Sequence, residues 1–197
     1  LLRCFVAVEV AAPSLRRVLE GVQGELRRAF GTPDPVKWVP AHQFHFTLKF
    51  FGEIPEEDAR RAETAMARVV AGVRAFPARV QGLGAFPSAE RPSVIWAGMA
   101  EGAEPLVALA AAVEREMALE GFPVERRRFQ PHLTIGRVRE GARMPKTVPE
   151  LLLRNADRDF GSWRVDRLVL MRSELTPRGP IYSQYAVAAL REEIGQV

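Results

Sequence analysis

Two of the three histidines in the chain open the same four-residue pattern, His45-Phe46-Thr47-Leu48 and His132-Leu133-Thr134-Ile135. Only six threonines occur among the 197 residues, so composition alone does not place a threonine two positions after a histidine twice. Along a strand, residues i and i+2 share a face. His45 and Thr47 are therefore expected to project together, with Phe46 and Leu48 buried behind them. His132 and Thr134 do the same, backed by Leu133 and Ile135. Each segment offers one imidazole and one hydroxyl to a common surface. Imidazole, with an ordinary pKa of about 6.5, takes or gives a proton near neutrality. A hydroxyl can donate to an oxygen that carries negative charge. Two such pairs facing one groove suit in-line displacement at phosphorus, where one group deprotonates the nucleophile and another protonates the leaving oxygen. Imidazoles that move both protons need no metal. The two segments are too alike for the sequence to assign acid and base.

Other residues carry weaker signals. Arg137 is out of phase with His132 on an ideal strand and faces away unless a strand end or bulge returns it to a phosphate. Lys49 is in phase with His45 and Thr47, but stands near the strand end, where solvent is the ordinary surrounding. Arg126, Arg127 and Arg128 precede the second motif; they can steer an anionic strand or simply be solvated. Trp38, Phe51 and Tyr182 are candidates to stack on a base or to pack the rim. His42 and His45 are spaced i, i+3; on a strand they face opposite ways and no Cys or acidic ligand flanks them, so no metal site is expected. Cys4, the single cysteine, sits in an apolar segment and reads as a buried, inert thiol of a cytoplasmic protein.

The elements that must position these groups follow from periodicity and turn signals. Residues 2–10 read as a buried first strand rather than a signal sequence, because Glu9 interrupts the apolar run. Pro13 opens a helix with Leu15, Val18, Leu19, Val22, Leu26 and Phe30 at helical spacing, stopped by Gly31. A proline-rich loop, 32–40, leads to a strand over 43–51 that ends at Gly52. A second helix begins near Pro55 with Glu56, Glu57 and Asp58 in its first turn. Extended segments follow at 76–86 and 92–99. A third helix carries Leu106, Leu109, Ala110, Val113 and Met117 and stops at Gly121. The second motif strand spans 131–138. Thr147 and Glu150 have capping-box spacing before a short helix at Leu151-Leu152-Leu153. Two closing strands, about 160–173 and 180–189, flank the turn Thr176-Pro177-Arg178-Gly179-Pro180. Helix, glycine, proline-bearing loop and His-bearing strand thus occur twice. That is an α+β pattern with a degenerate internal repeat, two lobes related by a pseudo-twofold axis.

Bulk properties set outer bounds. The chain is 47% hydrophobic and 26% charged, which suits one globular unit or two tightly joined lobes. No run of 18 apolar residues is present, so no transmembrane helix is expected. The net charge is +4, and every basic residue except Lys37, Lys49 and Lys146 is arginine. Arginine-rich basic surfaces favour anionic, phosphate-bearing partners, without proving nucleic-acid binding at this modest charge.

The paired tetrapeptides, with the flanking Lys49-Phe50-Phe51-Gly52 and Gly136-Arg137, resemble the 2H phosphoesterase superfamily. Within it the chain is similar to the RNA 2′,3′-cyclic phosphodiesterases once named 2′-5′ RNA ligases. The likeness extends over nearly the whole chain, to Cys4-Phe5-Val6-Ala7-Val8, Lys37-Trp38-Val39-Pro40, Ser173-Glu174-Leu175 and Gly179-Pro180-Ile181-Tyr182. The resemblance implies a single bilobal domain over 1–197, with antiparallel sheets flanked by helices and the site in the cleft between lobes. It implies hydrolysis of a terminal 2′,3′-cyclic phosphate on RNA to a 2′-phosphate, without cofactor. It assigns His45 as proton donor and His132 as proton acceptor; Thr47, Thr134 and Arg137 are the candidate substrate-binding residues. The protein is expected to be monomeric and away from membranes. ATP-independent 2′-5′ joining, the same proton traffic reversed, and a non-catalytic RNA- or nucleotide-binding module are the alternatives.

Overall fold

The computed structural model describes residues 1–177 and 179–192. The elements are β1 (Leu2–Glu9), α1 (Pro13–Phe30), β2 (Val36–Trp38), a 3-10 turn (Ala41–Gln43), β3 (His45–Ile54), α2 (Glu56–Ala71), β4 (Phe76–Phe86), β5 (Val94–Met99), α3 (Ala103–Leu119), β6 (Leu133–Val138), α4 (Thr147–Arg154), β7 (Asp159–Val165), β8 (Arg167–Thr176) and β9 (Gly179–Ala189). They build two antiparallel sheets, ordered β3-β1-β8-β9 and β2-β6-β5-β4-β7. This is an α+β fold.

The repeat is visible in the strand order. β1-α1-β3-α2-β4 is one copy and β5-α3-β6-α4 with β8 is the other. In the first sheet β3, β1 and β8 are successive neighbours; in the second, β6, β5 and β4 are. Each copy therefore lends its last strand to the other copy's sheet. The first helix of each copy also crosses over. α1 packs on β6, β7 and α4 of the second sheet, whereas α3 packs on β3 and α2 at the first. One buried cluster draws on both sheets and all four helices. The lobes are thus locked together by exchanged elements.

Local sequence explains the elements. In α1, Leu15, Leu19, Val22, Leu26 and Phe30 form the buried stripe, Pro13 occupies the first turn, and Arg27 and Arg28 sit at the negative end of the dipole. β1 is a central strand buried on both faces, which is why its sequence is apolar without alternation. Cys4 is fully buried within it, and burial pushes the thiol pKa up.

Several expectations need correction. The proline-rich loop contains β2, a three-residue strand fixed by Asp34, whose carboxylate accepts the Val36 amide (2.9 Å) and Trp38 Nε1 (2.7 Å). The first motif strand starts at His45, after the 3-10 turn, and runs through Gly52 to Ile54; Gly52 takes φ 73 inside it. The second starts at Leu133, so His132 stands just ahead of it. The segment 160–173 is two strands split at Asp166, where the chain leaves one sheet for the other. The capping box is not made: α4 starts behind Lys146, and Thr147 Oγ1 instead donates to the Ala29 carbonyl (3.2 Å), tying α4 to the end of α1. In the closing turn, Arg178 lies outside the described residues. Among the described residues no helix is long and apolar enough to cross a membrane.

Candidate active site

The motif strands β3 and β6 approach one another between the sheets. There a cavity of ≈ 370 Å³ is lined by His45, Thr47, His132, Thr134 and Arg137 together. The burial of each tetrapeptide alternates as the i, i+2 rule requires: Phe46, Leu48, Leu133 and Ile135 are buried, and the histidines and threonines are half-exposed towards the cavity.

The repeat is chemical as well as topological. His45 Nδ1 lies 2.6 Å from the Gln43 carbonyl, and His132 Nδ1 lies 2.8 Å from the Gln130 carbonyl. A carbonyl oxygen only accepts, so the proton of each contact belongs on Nδ1. In both rings Nε2 is left as the atom free to exchange protons. Both rings also rest on aromatics. His45 meets Phe5 (centroids 4.9 Å apart) and the edge of Tyr182 (5.4 Å); His132 meets Phe86 edge-on at 5.2 Å. Phe5, Ala7, Val169 and Met171, with Tyr182 against them, form a small second apolar cluster on the first sheet, under His45.

Each motif ends in a β-bulge. On β3, Thr47 pairs with Ala7 and Lys49 with Val6, leaving Leu48 without an opposite residue. On β6, Thr134 pairs with Trp96 and Gly136 with Ile95, leaving Ile135 in the same position. An extra residue reverses the in–out phase beyond it. Arg137 is thereby returned to the cavity from its out-of-phase position. The same phase change sends Lys49 the other way. It is 6% exposed, and its Nζ donates to both Glu114 carboxylate oxygens (2.9 Å each) and to the Pro123 carbonyl (2.8 Å). Lys49 is therefore a buried ion-pair partner, not a solvated strand-end residue. Phe50 takes the cavity position instead.

The remaining candidates divide. Tyr182 lines the cavity, and burial pushes its phenol pKa up, opposed by Arg137 and Arg3. Phe51 packs on Phe122 (4.8 Å) away from the cavity. Trp38 lies beside it, in a side recess shared with Arg137 and Tyr182. His42 sits on the 3-10 turn rather than a strand, and is exposed. Sequence reasoning missed Arg3, Phe5, Phe50 and Ser173 on the cavity wall. A strand ideal from end to end hides Phe50, and only pairing partners reveal the bulge.

Burial pushes the His45 pKa below its ordinary 6.5; the Gln43 carbonyl opposes this and the Arg137 charge adds to it. The protein by itself therefore favours a neutral His45 beside a cationic Arg137. Together the two motifs and Arg137 bring two proton-exchanging nitrogens, two threonine hydroxyls and a guanidinium to a single cavity, whose wall also carries Arg3, Ser173 and Tyr182. That set matches a tetrahedral anion with an attacking and a leaving oxygen on opposite sides.

The chain is similar to known proteins over most of its length. A family model described as the 2′-5′ RNA ligase superfamily matches residues 11–177. A Methanothermobacter thermautotrophicus protein named RNA 2′,3′-cyclic phosphodiesterase is 37% identical over 188 residues, covering 95% of this chain and 98% of that one. One of the same name from Archaeoglobus fulgidus is 35% identical over 186 residues, covering 94% and 99%. Among solved structures, TT0787 of Thermus thermophilus superposes with a TM-score of 0.78 at 30% identity, covering 98% of this chain and 100% of that one. E. coli LigT complexed with 3′-AMP superposes at 0.74 and 22% identity over 96% and 98%, a likeness of fold.

Proposed function

The chain belongs to the 2′-5′ RNA ligase superfamily, and from that premise we propose that it hydrolyses the 2′,3′-cyclic phosphate at an RNA 3′ end to a 2′-phosphate, with His45 and His132 moving the protons. The observation that carries this reading is the convergence of both His-x-Thr pairs and Arg137 on one cavity. The names of the relatives support the substrate.

In the proposed reaction, His132 Nε2 takes a proton from water as its oxygen attacks phosphorus. The P–O3′ bond breaks, and His45 Nε2 gives its proton to the departing 3′ oxygen. The products are a 2′-phosphate and a 3′-hydroxyl. His45 ends neutral and His132 cationic, and exchange with solvent restores both. Thr47, Thr134 and Arg137 hold the non-bridging oxygens as charge gathers there. His45 must be cationic to act as the acid, against the preference set by its burial. A bound phosphate supplies the negative charge that offsets Arg137 and favours the imidazolium. Every group in this scheme comes from one chain, so the bilobal unit works as a single domain and a monomer is sufficient. The scheme assigns no step to a metal.

The test uses an RNA oligonucleotide with a 2′,3′-cyclic phosphate end, with chelator present. His45→Ala and His132→Ala are each expected to lower kcat by about 10²–10⁴-fold, the usual contribution of a general acid or base. Full activity in either variant refutes the scheme. Replacing the 3′ oxygen by sulfur makes a leaving group that needs no proton. It is expected to restore the His45→Ala variant and not His132→Ala; the opposite pattern reverses the two roles.

A further inference from the structure

Beside the cavity lies a wider groove of ≈ 1130 Å³. The two are continuous, since Thr47 and His132 line both. One wall is the outward face of α3, with Val107, Ala111, Arg115 and Ala118. The other is the irregular segment between α3 and β6, contributing Arg127, Arg128 and Phe129, and Phe86 closes the end beside His132.

We propose that this groove holds the RNA strand on the 5′ side of the terminal nucleotide, so that the protein selects oligonucleotide ends over mononucleotide 2′,3′-cyclic phosphates. The inference rests on the proposed function for its substrate class. Three observations carry it. First, continuity: the cavity opens at His132 and Thr47 directly into this groove, which is about three times its volume. Second, charge: Arg115, Arg127 and Arg128 are exposed, and none forms an ion pair among the described residues. Two acids also line the groove: Glu114 is bound by Lys49, and Glu125 accepts the Arg127 amide (2.9 Å) and lies within reach of the Arg127 charge. Arg115 and Arg128, with Arg127 offsetting Glu125, along a largely apolar lining suit a backbone of phosphates with bases turned inward. Third, surface: Phe86 and Phe129 present aromatic rings, and stacking on such rings is the sequence-tolerant way to hold unpaired bases. An apolar peptide would use the floor but leave the arginines unanswered.

Two measurements test the groove. The first is the ratio of kcat/KM for a tetranucleotide cyclic phosphate to that for a mononucleotide with the same terminal base. A ratio of at least about five is expected, the lower end of what one stacked base contributes. Ala111→Trp, which fills the groove from an exposed position on α3, is expected to bring the ratio near one with its Tm kept. The second is binding of a labelled tetranucleotide ending in the 2′-phosphate product, followed by anisotropy across NaCl concentrations. Arg115→Gln and Arg128→Gln are each expected to flatten the slope of log K against log salt by about 0.7. A tetranucleotide that binds and reacts no better than the mononucleotide overturns the proposal, as does a preference that survives Ala111→Trp. Groove-dependent binding with no hydrolysis of either substrate supports the groove and sinks the hydrolase reading, so the two failures are distinguishable.

Discussion

The two His-bearing strands carry the same device and use it to opposite ends. In each, a carbonyl two residues back fixes the imidazole, a threonine shares its face, and a bulge comes next, at Leu48 or Ile135. Beyond the bulge they diverge. On β6 the residue turned to the cavity is the cation Arg137, and the one turned inward is Gly136, where a Cβ would meet Val36 and Trp38 at 2.7–3.1 Å. On β3 the residue turned to the cavity is Phe50, and the cation, Lys49, is sunk behind the sheet. Of the two motif strands, β6 thus turns its cation to the site and β3 commits its cation to the scaffold, while Arg3 on β1 adds a second guanidinium to the cavity wall. The histidines differ accordingly: His45 is enclosed by Phe5 and Tyr182, whereas His132 opens onto the wide groove. Near-identical tetrapeptides acquire different surroundings from the residues beyond the bulge.

Exchanging the post-bulge residues for alanine gives the sharpest contrast. Arg137→Ala removes the guanidinium that β6 turns to the cavity and is expected to lower kcat/KM by about 10²–10³-fold, as loss of a preorganised charge donor does. Phe50→Ala is expected to cost no more than about tenfold. Equal losses, measured on the same cyclic-phosphate substrate, break the claim that the halves are unequal.

The supports behind the strands differ in the same sense. The crossed-over helices each deliver a polar side chain to the back of a bulge region, buried in the case of Gln23 and half-buried in that of Glu114. From α1, Gln23 Nε2 donates to the Val39 and Ile135 carbonyls (2.8 Å each); from α3, Glu114 receives Lys49. The first support is neutral and the second is an ion pair, with the Lys49 side chain 4% exposed and that of Glu114 22%. Lys49→Met strands a carboxylate and is expected to destabilise the fold by about 3 kcal/mol. Lys49→Met with Glu114→Gln is expected to recover most of that loss. Gln23→Leu is expected to cost about 1–2 kcal/mol, because the Ile135 carbonyl keeps the Val39 amide (3.0 Å) and only the Val39 carbonyl loses its donor. Denaturant midpoints for the four proteins settle the order. A Gln23 variant that loses more than the Lys49 variant reverses it.

The sequence carried the motif pair, the repeat and the helices because each rests on a local rule, such as the stripe Leu15, Leu19, Val22, Leu26. It did not carry features that depend on pairing between distant segments. The bulges at Leu48 and Ile135 decide the fate of Lys49, Phe50 and Arg137, yet they exist only against β1 and β5. Asp166 as a switch between sheets is hidden likewise, since both flanking strands have the same local signature. β2 is too short for periodicity and is held by Asp34 rather than by pattern. The swap of α1 and α3 between lobes leaves no trace in composition, because either sheet would bury the same apolar stripe.

The smallest expected effect is the most direct reading of the asymmetry. Burial and Arg137 depress the His45 pKa below 6.5. The folded protein then refuses a proton that the unfolded chain accepts. Between the depressed value and 6.5, the unfolded state binds more protons, so stability rises with pH across that window. The contribution is fully present above 6.5 and is lost as pH falls through the folded-state value. Histidine resonances followed by NMR, assigned with His45→Ala, are expected to place the His45 midpoint below 6.5 in the free protein. Arg137→Ala is expected to move it upward only part of the way, because burial is the larger cause. Inorganic phosphate is expected to move it upward as well, by placing negative charge beside the ring. A midpoint at or above 6.5 without ligand means that His45 is not enclosed as described. A phosphate-insensitive midpoint means that the anion does not sit against His45, and the acid role then loses its electrostatic basis.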